Sequence, residues 1–532
     1  MRIKPAVSRL LLVSICLLSP HLFAENLEEI FSLARKNDAE WAAKKQKYLA
    51  DREKMEQAYG SLLPTADLNG SWGKQYYESE TPVFDGGFSG GGVNEAAFCA
   101  SLNNVSTTDE FLDLCTTSTN TKEDYEATIY DLTIAQPLIR MDRWHRYKRA
   151  KSLDNAAKAD LAFSQQELMI RSAEAYFGVL RAQEELRLAK SEEKTLRTQL
   201  TEIKNRYKLG LMRDTDVFEL QAQHDIAKAA VIVAESQVSV VKENMAMLTG
   251  VFIDIVNPLP KDIPIEPPQP FALAEWEDFA KQTNYQLIAA QYAKEASEKE
   301  LSEKKSGHAP TADLFLKYEH RDVGGGFTPS SDTTTFGVRV SVPLYSGGIT
   351  SSQVREADYK VQEARHNVDL ALRNALRETR QYHTQVNANV ASVQARLRAV
   401  KSNNSSLKAI KEGWQDGIRT MSDALAAQRK VFQARKEYAV SRYDYILNTL
   451  KLKKAAGVLS PDDLKTLNSW LDSPTNTVSS VLEDDEAYLD EVDDIKFEQE
   501  IKTFDDEKEA DSGKSHKSLY DAFKAWRDSD DE

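Results

Sequence analysis

The sequence predicts a mainly α fold that carries a membrane β-sheet, the whole written twice along one chain. Three observations lead there. The residues PTADL stand at 64–68 and again at 310–314, 246 positions apart, inside a longer tandem duplication. Between each PTADL and a later Pro-Leu pair the chain alternates apolar and polar residues, the two-residue period of a strand. Elsewhere apolar residues recur at heptad spacing over runs far longer than a compact domain uses.

The N-terminus reads as an export signal. "MRIKPAVSR" is basic, an apolar run follows from Leu10 to Leu18, and "SPHLFA" ends in small residues. That order predicts a secretory signal over residues 1–24. Cys16 follows the bulky Ile15, where a lipoprotein signal has a small residue. Beyond residue 24 no apolar run reaches the roughly 18 residues of a membrane helix. Only a closed β-barrel, with every backbone group paired, is left to cross lipid.

The duplication is then followed residue by residue. Leu27 aligns with Leu273, Ala34 with Ala280 and Pro64 with Pro310. The offset falls to 206 at Pro137/Pro343 and Tyr176/Tyr382, and is 207 at Gly210/Gly417, Asp216/Asp423 and Gln221/Gln428. An interruption in the first copy accounts for the change. It holds "FDGGFSGGGV" together with Cys99 and Cys115. An oxidising compartment predicts a disulfide between these two, with two free thiols as the alternative. The expected organisation is a signal over 1–24, a first repeat over 25–256, a Pro-rich linker over 257–270, a second repeat over 271–472 and a tail over 473–532. The formal net charge is −15, and the last fifty residues hold 20 Asp/Glu against 7 Lys/Arg. Such a tail has too little apolar content to fold alone, although "SLYDAFKAWRDSDDE" can form a short amphipathic helix on a partner.

Four strands are expected. "ADLNGSW" sets Ala66, Leu68, Gly70 and Trp72 against Asp67, Asn69 and Ser71. "TIYDLTIAQ" sets Tyr130, Leu132 and Ile134 against Ile129, Asp131 and Thr133. "ADLFLKYE" and "FGVRVSV" repeat the pattern, and Trp72, Tyr76, Tyr77, Tyr125, Tyr130, Tyr318 and Tyr345 are candidates for aromatic girdles. A soluble sheet with one buried face shows the same alternation. Four strands cannot close a barrel, because about eight is the smallest outer-membrane size, so several chains have to share one.

The helices come next. Leu161, Leu168, Ala175, Ala182, Ala189, Leu196 and Ile203 recur every seven residues in a run from 144 to 208 without proline. At 1.5 Å per residue such a run is roughly 100 Å long. Residues 220–248, 353–412 and 424–456 continue in the same style. Each pair of helices meets at a repeated turn, "KLGLMRDTDV" and "QDGIRTMSDA". Gly210 and Gly417 fit the left-handed position that ends a helix. Thr215/Asp216 and Ser422/Asp423 fit an N-cap that starts the next. The basic cluster Arg140, Arg143, Arg146, Lys148 and Arg149 reads as a solvated helix start, with lipid headgroups or a lumen as alternatives.

Enzyme chemistry finds no motif. The eight histidines are scattered, and no G-x-S-x-G, phosphate loop or dinucleotide fingerprint occurs. No cofactor or metal is expected. The acidic balance and the export signal disfavour nucleic acid.

Over residues 25–470 the two-fold repeat, the PTADL strand openings, the Pro-Leu strand ends and the two tips together resemble the TolC family of outer-membrane export channels. The resemblance implies a homotrimer in which four strands from each chain make a shared 12-stranded β-barrel and twelve helices make a long α-helical barrel across the periplasm. It implies a passive exit duct of a Gram-negative outer membrane for small molecules or for type I secreted proteins. Its partners would be outer-membrane lipid, a periplasmic adaptor and an inner-membrane transporter. Carried over by motif, the resting periplasmic gate falls on Thr215, Asp216, Trp414, Arg419 and Asp423. Trp414 replaces a tyrosine, and Ala426 replaces a second ring aspartate. A periplasmic coiled-coil adaptor or scaffold without a pore is the alternative, and two equal hairpins with four alternating strands argue against it.

Overall fold

The computed structural model describes residues 26–84, 116–260, 263–324 and 330–471. The export signal, Cys99 with Cys115, and the acidic tail lie outside the described residues.

The chain opens with α1 (Leu27–Asn37), started by a capping box in which Asn26 and Glu29 satisfy each other's backbone N–H groups. Leu27, Ile30, Phe31 and Ala34 are buried at i, i+3, i+4 and i+7, one face of a helix. Asp38 ends α1 and caps α2 (Ala39–Gly60) through the N–H of Trp41 at 2.9 Å. Its carboxylate also takes the two terminal nitrogens of Arg171 at 3.3 and 2.8 Å, which fixes the corner against the long helix.

Two strands follow, β1 (Thr65–Phe84) and β2 (Thr116–Ile139), and then α3 (Met141–Lys208) of 68 residues and α4 (Asp214–Thr249) of 36. The second copy repeats the order: α5 (Leu273–Thr283), α6 (Tyr285–Lys305), a 3₁₀ turn (Ser306–His308), β3 (Thr311–Val323), β4 (Ser331–Ser341), α7 (Ile349–Gln415) and α8 (Met421–Ala455). The short α9 (Pro461–Asn468) closes the described chain.

The repeat extends to single hydrogen bonds. Asn284, 246 residues after Asp38, caps α6 through the N–H of Leu287 at 3.0 Å. Gly250 and Gly457, 207 apart, both end a helix with positive φ, 72° and 78°. Gly250 lies against Asn37 and Gly457 against the backbone of Thr283, again 246 apart.

Packing follows the lengths. α3 and α7 run the full distance from sheet to tip. Near the tip each lies on its partner, α4 or α8, while near the sheet α3 lies on α2 and α6, and α7 lies on α6. The main apolar core sits at mid-height, where α1, α3, α8 and α9 meet the inter-repeat connection around Leu168, Tyr176, Phe177, Met245, Ile446 and Leu452. The connection is held by side chains: the hydroxyl of Tyr445 donates to Glu266 O, Trp276 donates to Pro270 O, and Tyr176, fully buried, donates to Asn257 O. A second, smaller core ties the two hairpins together near their tips, with Leu196, Leu200 and Ile203 of α3, Leu220 of α4, and Met421 and Leu425 of α8.

The basic cluster at the start of α3 is solvated only in part: Lys148 and Arg146 are exposed, but four of its five members are bound by other elements of the chain. Arg146 binds Glu303 at 3.0 Å, Arg149 reaches Glu303 and Glu300, Arg143 donates to Ser61 O, and Arg140 faces Asp313 at 3.7 Å. Glu303 is buried, and its pairs with Arg146 and Arg149 lock α3 to α6 just below the sheet, while Arg143 ties α3 to the end of α2 and Arg140 faces β3.

Candidate functional site

Two regions have geometry that a soluble scaffold has no use for. The first is the sheet. Its order is β1-β2-β3-β4, all antiparallel, with one irregularity between Pro137 and Ile139. Ala66, Ile134, Leu316 and Phe336 form one row across all four strands, and Leu68, Leu132 and Tyr318 form another. Side chains alternate faces, so one face is apolar in its lower rows and carries Thr334, His320, Asp332, Asp322, Lys74 and Glu126 in the rows further out. Among the described residues nothing lies on that face: Leu68, Trp72, Tyr76 and Phe336 are more than 70% exposed. An uncovered apolar face of this extent is the mark of a lipid surface. The opposite face carries Asp67, Asn69, Asp131, Thr133, Asp313, Lys317, Glu319 and Arg339. Among the described residues β1 and β4 are open edges, each with a row of unpaired backbone groups.

Of the candidate girdle residues, Tyr130 and Tyr318 are neighbours with ring centroids 6.4 Å apart, and Tyr345 lies past the end of β4. The side chains of Tyr77 and Tyr125 are outside the described residues. At the sheet's foot a belt not anticipated from the sequence joins Tyr59, Trp144 and Tyr147, with Lys148 over the Trp144 ring at 5.2 Å. Its members are separated by up to 89 positions, and no local pattern announces them.

The second region is the pair of hairpin tips. At each, the chain ends a helix in a Schellman motif. Leu211 N–H donates to Arg206 O and Gly210 N–H to Tyr207 O, and Ile418 N–H donates to Gly413 O and Gly417 N–H to Trp414 O. Gly210 and Gly417 have φ of 75° and 74°, the left-handed region. The N-caps differ from expectation. α4 is capped by Arg213, which offers no side-chain acceptor, and α8 by Thr420. Asp216 and Asp423 each stand two residues past the first residue of their helices, in equivalent positions. Thr215 is exposed, and its N–H is bound by Asp214 at 2.8 Å.

Asp423 forms a capping box with Thr420, accepting the Thr420 N–H at 3.1 Å while Thr420 Oγ1 accepts the Asp423 N–H at 3.1 Å. These bonds to Thr420, helped by the Arg419 guanidinium, hold the Asp423 carboxyl below the usual carboxylate range. Trp414 packs on the tip core beside Met212 and Val217, and the Arg206 guanidinium lies 5.9 Å from its ring centroid. Within one chain Asp216 and Arg419 do not form an ion pair among the described residues. The tips also expose Leu209, Leu211, Phe218 and Ile418.

Above the tips, a groove between α3, α4 and α8 is lined by Glu185, Glu192, Val233, Arg429, Gln433 and Lys436, with a volume of about 860 Å³. Burial there pushes the Glu192 carboxyl up, and Arg429 offsets part of the effect. Among the described residues no group of His, Cys, Asp and Glu is arranged to hold a metal ion, and no helix is long and apolar enough to cross a membrane.

Residues 30–251 and 277–458 match the sequence profile of the outer membrane efflux protein family. The chain is 28% identical over 469 residues to the outer membrane protein TolC of Vibrio cholerae, covering 85% of this chain and 95% of that protein. It is 25% identical over 455 residues to the alkaline protease secretion protein AprF of Pseudomonas aeruginosa, covering 84% of this chain and 88% of that one. Among solved structures, CusC superposes with a TM-score of 0.66 at 14% identity over 82% of this chain and 93% of its own. VceC from Vibrio cholerae gives 0.63 at 16% identity over 81% and 96%. These two likenesses concern the fold alone.

Proposed function

The chain belongs to the outer membrane efflux protein family, and from that premise we propose how its geometry makes a gated duct. It is an outer-membrane channel protein with a helical barrel below a β-barrel. Three copies join, β1 of one chain to β4 of the next, so that no sheet edge stays open. The uncovered apolar face then meets lipid and the polar face lines the lumen. The four-stranded sheet with two bare edges carries this reading, because it falls short of the roughly eight strands of the smallest closed barrel. The helices support it. α4 exposes Phe218, Ile226, Val233, Val240 and Met247 at near-heptad spacing with nothing covering them among the described residues, a stripe suited to a neighbour's helix.

The repeats 25–256 and 271–472 act as two matched staves of each chain, and the hairpin tips form the periplasmic mouth. There Thr215 and Asp216 of one hairpin meet Trp414 and Arg419 of the second hairpin, in the same chain or the next, and hold the mouth shut. Three copies of Asp423 ring it, repelling each other and drawing cations. Ala426 leaves that ring with one carboxylate per chain near the constriction. The Trp414 indole can donate a hydrogen bond and cannot accept one, so Asp216 is the acceptor in any link between them. A periplasmic adaptor engages the exposed tip residues Leu209, Leu211 and Ile418, and an inner-membrane transporter supplies the energy. Cargo is either a small molecule or a polypeptide; the family's name speaks of efflux, and AprF's name of protease secretion for that relative.

Native mass spectrometry of detergent-extracted protein tests the assembly. Three chains are expected. A monomer that stays soluble without detergent would favour a scaffold.

A further inference from the structure

The lumenal face of the sheet is polar almost throughout, and Phe315 is the one aromatic among its described side chains. Its neighbours in the register are Ala135 on β2 and Gly337 on β4, both small. The ring lies across Gly337, where a Cβ would stand 3.5 Å from it. Above the ring sits the Arg339 guanidinium, 4.9 Å from the centroid. Asp313 is the register partner of Arg339, yet its carboxylate faces Arg140 at 3.7 Å. Arg339 forms no ion pair among the described residues and is exposed. The next cation outward, Lys317, is taken up by Glu319 at 2.5 Å. Two rows further out than Phe315, Asp131 and Glu319 face each other in register, so the lumen turns acidic. Arg321, further out on the same face beside Ile129, likewise forms no ion pair among the described residues, so Arg339 is set apart by its place against an aromatic ring at the foot of the barrel.

A guanidinium stacked on a ring keeps most of its donors available in a fixed plane, and it suits a planar or tetrahedral oxyanion. The ring beside it offers stacking area. We propose that Arg339 and Phe315 form a cargo-binding station at the foot of the barrel for anions that carry an aromatic ring. The proposal rests on the channel reading above, which makes this face a lumen and brings three such stations to one height. It is a binding step in transit and involves no covalent chemistry. Asp313 and Arg140 serve as positioning residues, since their pairing leaves Arg339 free.

Block of the reconstituted channel tests it. 2-Naphthalenesulfonate is added on the extracellular side, where the barrel foot is reached without opening the tips. Methanesulfonate tests the charge without the ring, and 2-naphthyltrimethylammonium tests the ring with the opposite charge. Naphthalenesulfonate is expected to block at concentrations about tenfold below either control. Arg339→Gln and Phe315→Leu are each expected to weaken that block about tenfold, and Arg339→Lys less. Unitary conductance of each variant reports whether it assembles. Equal block by the sulfonate and the ammonium, or block unchanged in the assembled Arg339 and Phe315 variants, would overturn the station. Absence of any conductance from the wild type would instead overturn the channel reading.

Discussion

Asp423 and Thr420 cap each other: the carboxylate accepts the Thr420 backbone N–H and the Thr420 hydroxyl accepts the Asp423 backbone N–H, both at 3.1 Å. The residue assigned to the cation-attracting ring is thus also part of the helix start. The two roles separate by mutation. Asp423→Asn keeps an acceptor for the Thr420 N–H and removes the charge, so cation selectivity should fall while the thermal unfolding midpoint moves little. Thr420→Ala should cost about 1 kcal/mol of stability and leave selectivity in place. Reversal potentials in a salt gradient and thermal unfolding by circular dichroism give the two readouts. Because Asp423 is held below the usual carboxylate range, its contribution to the helix start is present above that range and is lost as pH falls through the depressed value.

Gly457 and Gly210 share a left-handed backbone and differ in surroundings. A Cβ on Gly457 would run into the Thr283 backbone and stand 2.7 Å from Asn284 N, whereas one on Gly210 meets nothing within 4 Å. Gly457→Ala should therefore cost at least ~3 kcal/mol, combining the left-handed penalty with forced displacement of the α5–α6 corner. Gly210→Ala should cost only ~1 kcal/mol. Urea denaturation of the two variants compares them directly.

Glu192 should make stability depend on pH in the opposite sense to Asp423. Burial raises its carboxyl, so the folded protein holds this proton to higher pH than the unfolded chain does. Its contribution is full below the ordinary carboxylate range and is lost as pH rises through the raised value. Glu192→Gln should stabilise the protein at neutral pH and leave it unchanged near about pH 4. Denaturant midpoints at both pH values decide it. A variant less stable at neutral pH would mean that the pair with Arg429 outweighs burial.

The fold was readable in the sequence where its signals are local. Heptads give the long helices and period two gives the strands, and neither depends on what lies opposite. The duplication aligns the two tips, and Gly210 and Gly417 both take positive φ. The caps were misplaced by local ambiguity. Each helix begins four residues after its glycine, at Asp214 and Met421, so the Thr-Asp and Ser-Asp pairs fall inside the first turn. The pairing of the basic cluster has no local signal, because its acceptor Glu303 lies 157 residues from Arg146. Alternation alone puts Arg339 and Phe315 on the polar face. Their stacking depends on Gly337 lying opposite Phe315, a register that no single strand encodes.

The central claim, a duct closed at its hairpin tips, is tested most directly by single-channel recording in planar bilayers. Wild type is set beside a variant carrying both Arg419→Ala and Asp423→Ala. Small, cation-selective wild-type conductance that rises several-fold in the double variant is the predicted result. A large wild-type conductance unchanged by the substitutions would remove the gate from these residues, and no conductance from either protein would contradict the duct itself.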